Sequence, residues 1–193
     1  MSRFFSDIMA SIIVPARLVF IMWLMFFIEV ISPLEFGFLG ILPRTKEGLI
    51  GIVTSPVIHG SYLHIISNTF PILILGSTLY FFYDKIASKV FLRCYFLTGI
   101  LVWLFGGGST IHIGASGVVY GIAFFLTFFG FFRKDFKSIA ISLITLLAYG
   151  GLFYGLLPTQ PGISYESHLL GALVGIINAL ALSKIRRTSK DEG

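Results

Sequence analysis

The sequence predicts an all-α membrane protein, a single bundle of six helices that cross a bilayer, and three observations lead to this prediction. First, 56% of the 193 residues are hydrophobic and only 12% are charged, about half the charged fraction of an average soluble domain. Second, the chain divides into six apolar runs, each close to the roughly 20 residues that a spanning helix needs. Third, the cationic residues gather at alternate ends of these runs. One domain, residues 1–193, accounts for all six.

The first run, residues 12–31, is longer than the apolar part of a signal peptide and lacks a small-residue cleavage site, so we expect it to stay as a helix. Residues 32–56 are polar and contain Pro and Gly, which favours a long first loop. The five later runs have similar lengths and cover residues 61–82, 87–105, 116–132, 136–157 and 167–183. Residues 106–114 are rich in glycine and are predicted to form a loop between the third and fourth helices.

The positions of Lys and Arg predict the orientation. Only Arg44 and Lys46 fall at one set of helix ends, and the other set of ends holds the remaining cations. These are Arg3, Arg17, Lys85, Lys89, Arg93, Arg133, Lys134, Lys137, Lys184, Arg186, Arg187 and Lys190. Because cytoplasmic loops carry the excess of positive charge, we expect both termini in the cytoplasm. The first loop, the glycine-rich loop and the loop before the last helix then face outward.

Composition also excludes some classes of function. The net charge of +5 forms no basic face or stripe, so nucleic-acid binding is not expected. Cys94 is the only cysteine, and an internal disulfide is therefore impossible. No motif in the chain indicates a cofactor.

Three polar residues, Asn68, Ser116 and His168, stand near the outward ends of three different predicted helices. Each lies 16 or 17 residues before the cytoplasmic cation that ends its helix, which corresponds to about 25 Å above the inner face. In a hydrocarbon core of about 30 Å, that level is slightly beneath the outer surface. Polar groups at such depth are energetically expensive, so they indicate function or pairing.

These residue types suit acyl transfer. A serine becomes a nucleophile near neutral pH when a neutral imidazole takes its proton, and His168 is the candidate base for Ser116. The attack creates an oxyanion, which needs hydrogen-bond donors. His64 and Asn68, four residues apart, share one helix face, and the backbone N–H of Ser116 at a helix N-terminus adds a further donor. An acidic third member is not required.

Two helices also carry faces of small residues that permit close helix contact. The fourth predicted helix has Gly117 and Gly121, and the sixth has Ser167, Gly171 and Gly175. Each face begins beside its catalytic candidate.

Taken singly, each feature also has a structural interpretation. The small residues around Ser116 are common at helix contacts, and a buried histidine such as His168 commonly bonds to a backbone carbonyl. His64 with Asn68 fits a polar contact between helices, and His112 fits a structural or solvated loop residue. The coincidence of depth, order and residue type favours the catalytic interpretation.

Three motifs resemble those of the rhomboid family of intramembrane serine proteases, in the family's order and over about residues 52–182. They are His-x4-His-x3-Asn, Gly-x-Ser-Gly and a final His-x2-Gly-x3-Gly. The matching residues are His59, His64 and Asn68, then Gly114, Ser116 and Gly117, then His168, Gly171 and Gly175.

The resemblance implies a minimal six-helix core of the bacterial type, with a Ser116–His168 dyad and an oxyanion site made by His64, Asn68 and the Ser116 amide. It also implies that Tyr120 packs against the imidazole and that His59 is a supporting residue. The expected substrates are single-pass transmembrane proteins, cleaved in the lipid bilayer near the outer face, without a cofactor or metal. The expected location is the bacterial inner membrane.

The chain departs from the family at two points. Some members carry a Trp-Arg pair in the first loop, which has no counterpart before Thr54, and a Glu near the end of the second helix, where this chain has Tyr80. These departures concern how the first loop and the second helix are held.

Other functions remain as alternatives. A non-catalytic rhomboid-like protein that binds or escorts transmembrane helices needs neither the serine nor the histidine of the dyad. A zinc site from His59, His64 and His168 lacks a supporting carboxylate. An aspartyl protease is disfavoured because Asp84 and Asp135 lie at cytoplasmic ends, and a transporter because no inverted repeat is visible.

Overall fold

The computed structural model describes residues 2–108, 110–158 and 164–184. Within these ranges the predicted all-α bundle is confirmed, with six helices long and apolar enough to cross a membrane. Their α-helical parts are α1 Ser2–Ile31, α2 Tyr62–Phe82, α3 Asp84–Phe105, α4 Ser116–Arg133, α5 Phe136–Tyr149 and α6 Tyr165–Ser183, and the fifth span reaches its full length, Phe136–Leu156, through a 3-10 continuation of α5. Among the predicted cytoplasmic cations, Arg186, Arg187 and Lys190 lie outside the described residues, as does the side chain of Arg3.

Helix α1 starts at Ser2, ten residues before the start predicted from hydropathy. Its 30 residues span about 45 Å, more than the hydrocarbon core requires, so the first turns extend beyond the apolar run. Phe4 in this extension packs edge-to-face on Phe81 of α2, with ring centroids 5.9 Å apart. Further along, Pro15 of α1 lies against Gly76 of α2, where a Cβ would come within 2.7 Å of the proline ring. The contact between Phe4 and Phe81 therefore holds the extension against α2, and hydropathy does not register such contacts.

The first loop contains more helix than its composition predicts. Short 3-10 turns form at Phe36–Leu39, Glu47–Leu49 and Ser55–Val57, and one α-helical turn forms at Gly51–Thr54. The loop is a sequence of short, connected turns.

The C-terminal end of α3 anchors the first loop. The backbone N–H of Arg44 donates to the Trp103 carbonyl at 2.9 Å, and its guanidinium donates to the Gly106 carbonyl at 2.8 Å. In return, the Trp103 indole N–H donates to the Thr45 carbonyl at 2.8 Å. A cation at a helix C-terminus also interacts favourably with the helix dipole. The loop is thus fixed to α3 on the side of the bundle where α4 begins.

Helix α5 ends at Tyr149 and continues as a 3-10 segment, Gly150–Leu156, whereas the hydropathy pattern predicts one helix over residues 136–157. The transition from α-helix to 3-10 helix occurs at two consecutive glycines, Gly150 and Gly151. Glycine weakens an α-helix because its backbone gains the most conformational freedom when the helix unwinds. The 3-10 segment lies next to the site described below.

Helix α4 is the centre of the bundle and is the most buried of the six spans. Its glycine face meets that of α6: a Cβ on Gly171 would collide with the Gly117 carbonyl, and a Cβ on Gly175 would collide with the Gly121 carbonyl. Backbone thus touches backbone, as small residues allow in membranes. This contact fixes the two helices whose first turns carry Ser116 and His168.

The contact between α4 and α6 predicts that Gly171→Ala destabilises the protein. The added methyl group must push the helices apart, because its neighbour is backbone and has no freedom to move aside. Overpacking of this kind costs about 1–3 kcal/mol. Thermal unfolding in detergent measures the change, with Gly151→Ala as the control, since a Cβ at Gly151 meets nothing within 4 Å. Equal melting temperatures for the two variants would show that the helices do not pack through this face.

Candidate active site

A cavity of about 1160 Å³ lies at the end of the bundle where α4 and α6 begin. Its wall includes all the side chains that the sequence predicts for chemistry, together with residues of the glycine-rich loop. These side chains are His64, Asn68, Ser116, Tyr120 and His168. Five residues from three helices therefore share one space.

Ser116 is the first residue of α4, so its N–H is one of the helix donors without an intrahelical partner. The turn before it requires glycine. Gly114 has φ of 102°, and a Cβ there would also collide with the ring of His64. The Gly114 N–H donates to the Ser55 carbonyl at 2.8 Å, which ties this turn to the first loop.

His168 is buried, and its ring is fixed from two sides. Tyr120 stacks on it with ring centroids 4.1 Å apart and planes 7° from parallel. Its Nδ1 lies 2.9 Å from the Gly155 carbonyl. A carbonyl can only accept a hydrogen bond, so Nδ1 carries the proton in the neutral ring and Nε2 is left as the acceptor. His168 is thus bonded to a backbone carbonyl, as the structural interpretation expects. Its Nε2 nevertheless remains available to accept a proton.

Gly155 is a site residue that the sequence does not predict. It supplies a backbone carbonyl, and a carbonyl is common to all residue types, so it leaves no signature in the sequence. The one feature of the sequence that reflects its position is the residue type, glycine. A Cβ at residue 155 would collide with the Tyr120 hydroxyl.

Among the described residues, no hydrogen bond joins the Ser116 hydroxyl to His168, although both side chains line the cavity. In free enzymes such bonds are often long and shorten when substrate binds. The two side chains thus share one cavity, and Nδ1 of the imidazole is bonded to the Gly155 carbonyl.

The two predicted oxyanion donors lie on the same wall. Asn68 is buried, and its Nδ2 donates to the His64 carbonyl at 2.9 Å within α2. An amide nitrogen carries two hydrogens, so one N–H remains for the cavity while the bond within the helix fixes the rotamer. The ring of His64 packs against Gly114, in the turn that precedes Ser116.

His59 lies behind the cavity wall and is 1% exposed. The backbone N–H of Ala115 donates to its Nε2 at 3.4 Å, and its ring meets that of His64 at 4.9 Å between centroids. Burial, aided by the neighbouring His64, lowers the pKa of His59 to about 3. A neutral ring is therefore available to hold the backbone next to Ser116. No group of three or more His, Cys, Asp or Glu in the described part of the chain is placed to share a metal ion.

The lowered pKa of His59 predicts how stability depends on pH. The pKa in the folded protein is below the ordinary value of 6.5, so the folded state resists protonation that the unfolded state accepts. The contribution of His59 to the free energy of unfolding is full above pH 6.5 and declines as the pH falls toward 3. Melting temperatures in detergent at about pH 7.5 and about pH 5 measure the decline. His59→Gln, which keeps an acceptor for Ala115 and does not titrate, should reduce it. If the melting temperature of His59→Gln falls with pH as much as that of the wild-type protein, His59 is not the source of the pH dependence.

The Rhomboid domain family model matches residues 46–185 of the chain. Two uncharacterized proteins, from Mycobacterium bovis and Mycobacterium tuberculosis, are each 34% identical over 180 residues, which is 86% of this chain and 74% of the relative. An uncharacterized protein from Mycobacterium leprae is 34% identical over 188 residues, 88% of this chain and 71% of the relative. The family match covers more than half of the chain and spans every residue of the cavity named above. The chain therefore belongs to the rhomboid family of integral membrane proteins.

Proposed function

We propose that the protein is an intramembrane serine endopeptidase that cleaves transmembrane-helix substrates near the outer membrane face with a Ser116–His168 dyad. Membership of the rhomboid family supports a protease-like function within the membrane. The observation that carries the finer proposal is the bond between His168 Nδ1 and the Gly155 carbonyl. It fixes the tautomer in which Nε2 is basic, in a cavity that Ser116 also lines.

The reaction begins when Ser116 Oγ attacks the carbonyl carbon of the scissile peptide bond and His168 Nε2 takes the hydroxyl proton. The carbonyl oxygen becomes an oxyanion, stabilised by the Ser116 N–H, the free N–H of Asn68 and the His64 ring. The imidazolium then gives its proton to the leaving amine as the C–N bond breaks. Water, deprotonated by the same Nε2, hydrolyses the acyl-enzyme and restores Ser116.

The imidazole is held without a carboxylate. In Ser-His-Asp enzymes the aspartate fixes the tautomer and orientation of the histidine. Here the Gly155 carbonyl fixes the tautomer and the stacked Tyr120 ring fixes the plane. A neutral acceptor suits this depth, since a charged group within the bilayer is expensive.

We further propose that the protein lies in a bacterial inner membrane with both termini in the cytoplasm and the cavity opening outward. Apart from Arg44 and Lys46 of the first loop, the described cations gather toward the end of the bundle opposite the cavity, where Arg133 pairs with Asp135 at 2.7 Å and Lys137 lies 5.1 Å from the centroid of the Phe82 ring. Positive charge marks the cytoplasmic side.

The dyad predicts the outcome of single and double substitutions. Ser116→Ala and His168→Ala should each abolish cleavage of a single-pass substrate in detergent or proteoliposomes, and the double variant should be no worse, because the two groups act as a unit. Ser67→Ala is the matched control. Ser67 also lines the cavity, but its hydroxyl donates to the carbonyl of His64 in its own helix at 2.8 Å, so this variant should retain activity.

Robust turnover by either single variant would refute the dyad. If the wild-type protein binds transmembrane segments without cleaving them, the alternative of a non-catalytic rhomboid-like protein that escorts helices is correct.

The depth of Ser116 predicts where substrates are cut. A peptide bond at that level belongs to a membrane-anchored chain, and a helix must unwind before its carbonyl is accessible, which Gly or Pro makes easier. We expect cleavage near the outward end of a single-pass segment, after a small residue such as Ala. Mass spectrometry of product termini from a panel of single-pass proteins measures this. Cuts clustered at cytoplasmic ends would contradict both the depth and the orientation.

A further inference from the structure

His112, in the glycine-rich loop, is a buried polar residue that the proposed reaction does not use. Its backbone is paired with the first loop: the His112 N–H donates to the Ile41 carbonyl at 2.9 Å, and the Ile41 N–H donates to the His112 carbonyl at 2.9 Å. Two residues further on, Gly114 is bonded to Ser55. The segment that leads into Ser116 is therefore fixed at two points.

The His112 side chain reaches the other half of the dyad. Its Nδ1 lies 2.6 Å from the hydroxyl of Ser164, a residue 52 positions later in the chain. Ser164 is the N-cap of α6, and its hydroxyl accepts from the Ser167 N–H at 3.3 Å. The Ser164 carbonyl in turn accepts from the His168 N–H at 3.3 Å. One serine thus connects the His112 ring to the backbone of the catalytic base.

The hydroxyl of Ser164 has a further partner, the Ser167 hydroxyl at 2.7 Å. Its three contacts match the capacity of a hydroxyl group, which donates one hydrogen bond and accepts two. Burial lowers the pKa of His112, against the opposing effects of Glu166 and of the Gly107 carbonyl. The ring is therefore neutral near pH 7, and Nδ1 is free to take either role toward Ser164.

We propose that His112 is a positioning residue: through Ser164 it fixes the first turn of α6, and with it His168, relative to the loop that carries Ser116. The geometry of this role follows from the contacts above. Its consequence for catalysis rests on the proposed function. The glycine contacts set the distance between α4 and α6, whereas the His112–Ser164 bond fixes the end of α6 that bears the imidazole. A displacement of about 1 Å between catalytic groups lowers the rate by up to about 100-fold.

The test measures kcat and KM of the purified full chain in detergent on a single-pass substrate. His112→Ala and Ser164→Ala should each lower kcat by about 10- to 100-fold with little change in KM. The double variant should be no worse than Ser164→Ala alone, because that substitution already removes the bond to His112 together with the other contacts of the Ser164 hydroxyl. His112→Asn should restore most of the activity, since an asparagine amide nitrogen occupies the place of Nδ1. His112→Gln, whose amide extends to the place of Nε2, should not.

Trp103→Phe is the matched control. It removes a hydrogen bond of similar length, from the Trp103 indole to the Thr45 carbonyl at 2.8 Å, which holds the same first loop but does not touch α6. It should lower the melting temperature about as much as His112→Ala while kcat stays near the wild-type value. A loss of kcat by Trp103→Phe equal to that of His112→Ala, or equal rescue by Asn and Gln, would overturn the proposal.

A second measurement separates this inference from the proposed function. The chain has four histidines, so nuclear magnetic resonance signals of labelled imidazoles are assignable by substitution. The Nδ1–H signal of His168 should shift or broaden in His112→Ala and Ser164→Ala, and it should be unchanged in Trp103→Phe and His112→Asn. This readout does not require turnover. A wild-type protein that never cleaves would refute the protease, whereas an unchanged His168 signal in His112→Ala would refute the positioning role.

Discussion

Close contact between the backbones of α4 and α6 holds the bundle and its cavity together. Lipid is as apolar as the helix surfaces, so association relies on close packing rather than on exclusion of water. Gly171 and Gly175 meet the carbonyls of Gly117 and Gly121 with no room for a Cβ. The first turns of these two helices carry the proposed nucleophile and base. Any substitution that separates the helices also separates Ser116 from His168, so stability and the proposed chemistry depend on one interface.

Neutral groups hold the proposed catalytic residues in place. The proposed base is oriented by a carbonyl and a stacked ring, the turn before Ser116 is held by the imidazole of His59, and His112 meets a serine hydroxyl. Burial of an ionised group without a partner is costly, whereas a satisfied neutral pair is tolerated. Such neutral contacts suit the proposed site, which must bind a developing oxyanion at the depth in the bilayer that the sequence predicts.

The number of spanning helices and the side chains that line the cavity can be predicted from the sequence. Apolar runs give the helices. Intramembrane polar residues are rare, so those at equal depth on different helices are easily recognised. The first turns of α1 and the end of α5 do not follow, since hydropathy reports apolar length and not the contacts that extend or end a helix. The anchor between Arg44 and Trp103, in a chain without the Trp-Arg pair of some relatives, and the Gly155 carbonyl were also beyond sequence reasoning. Both depend on backbone groups, which every residue has.

Reaction with a fluorophosphonate, which forms a covalent adduct with an activated serine, tests whether His168 activates Ser116. We expect one adduct, mapped by mass spectrometry to Ser116, absent in Ser116→Ala and formed far more slowly in His168→Ala. An adduct on Ser67 or Ser164, which line the same cavity, or a labelling rate that does not depend on His168, would contradict it.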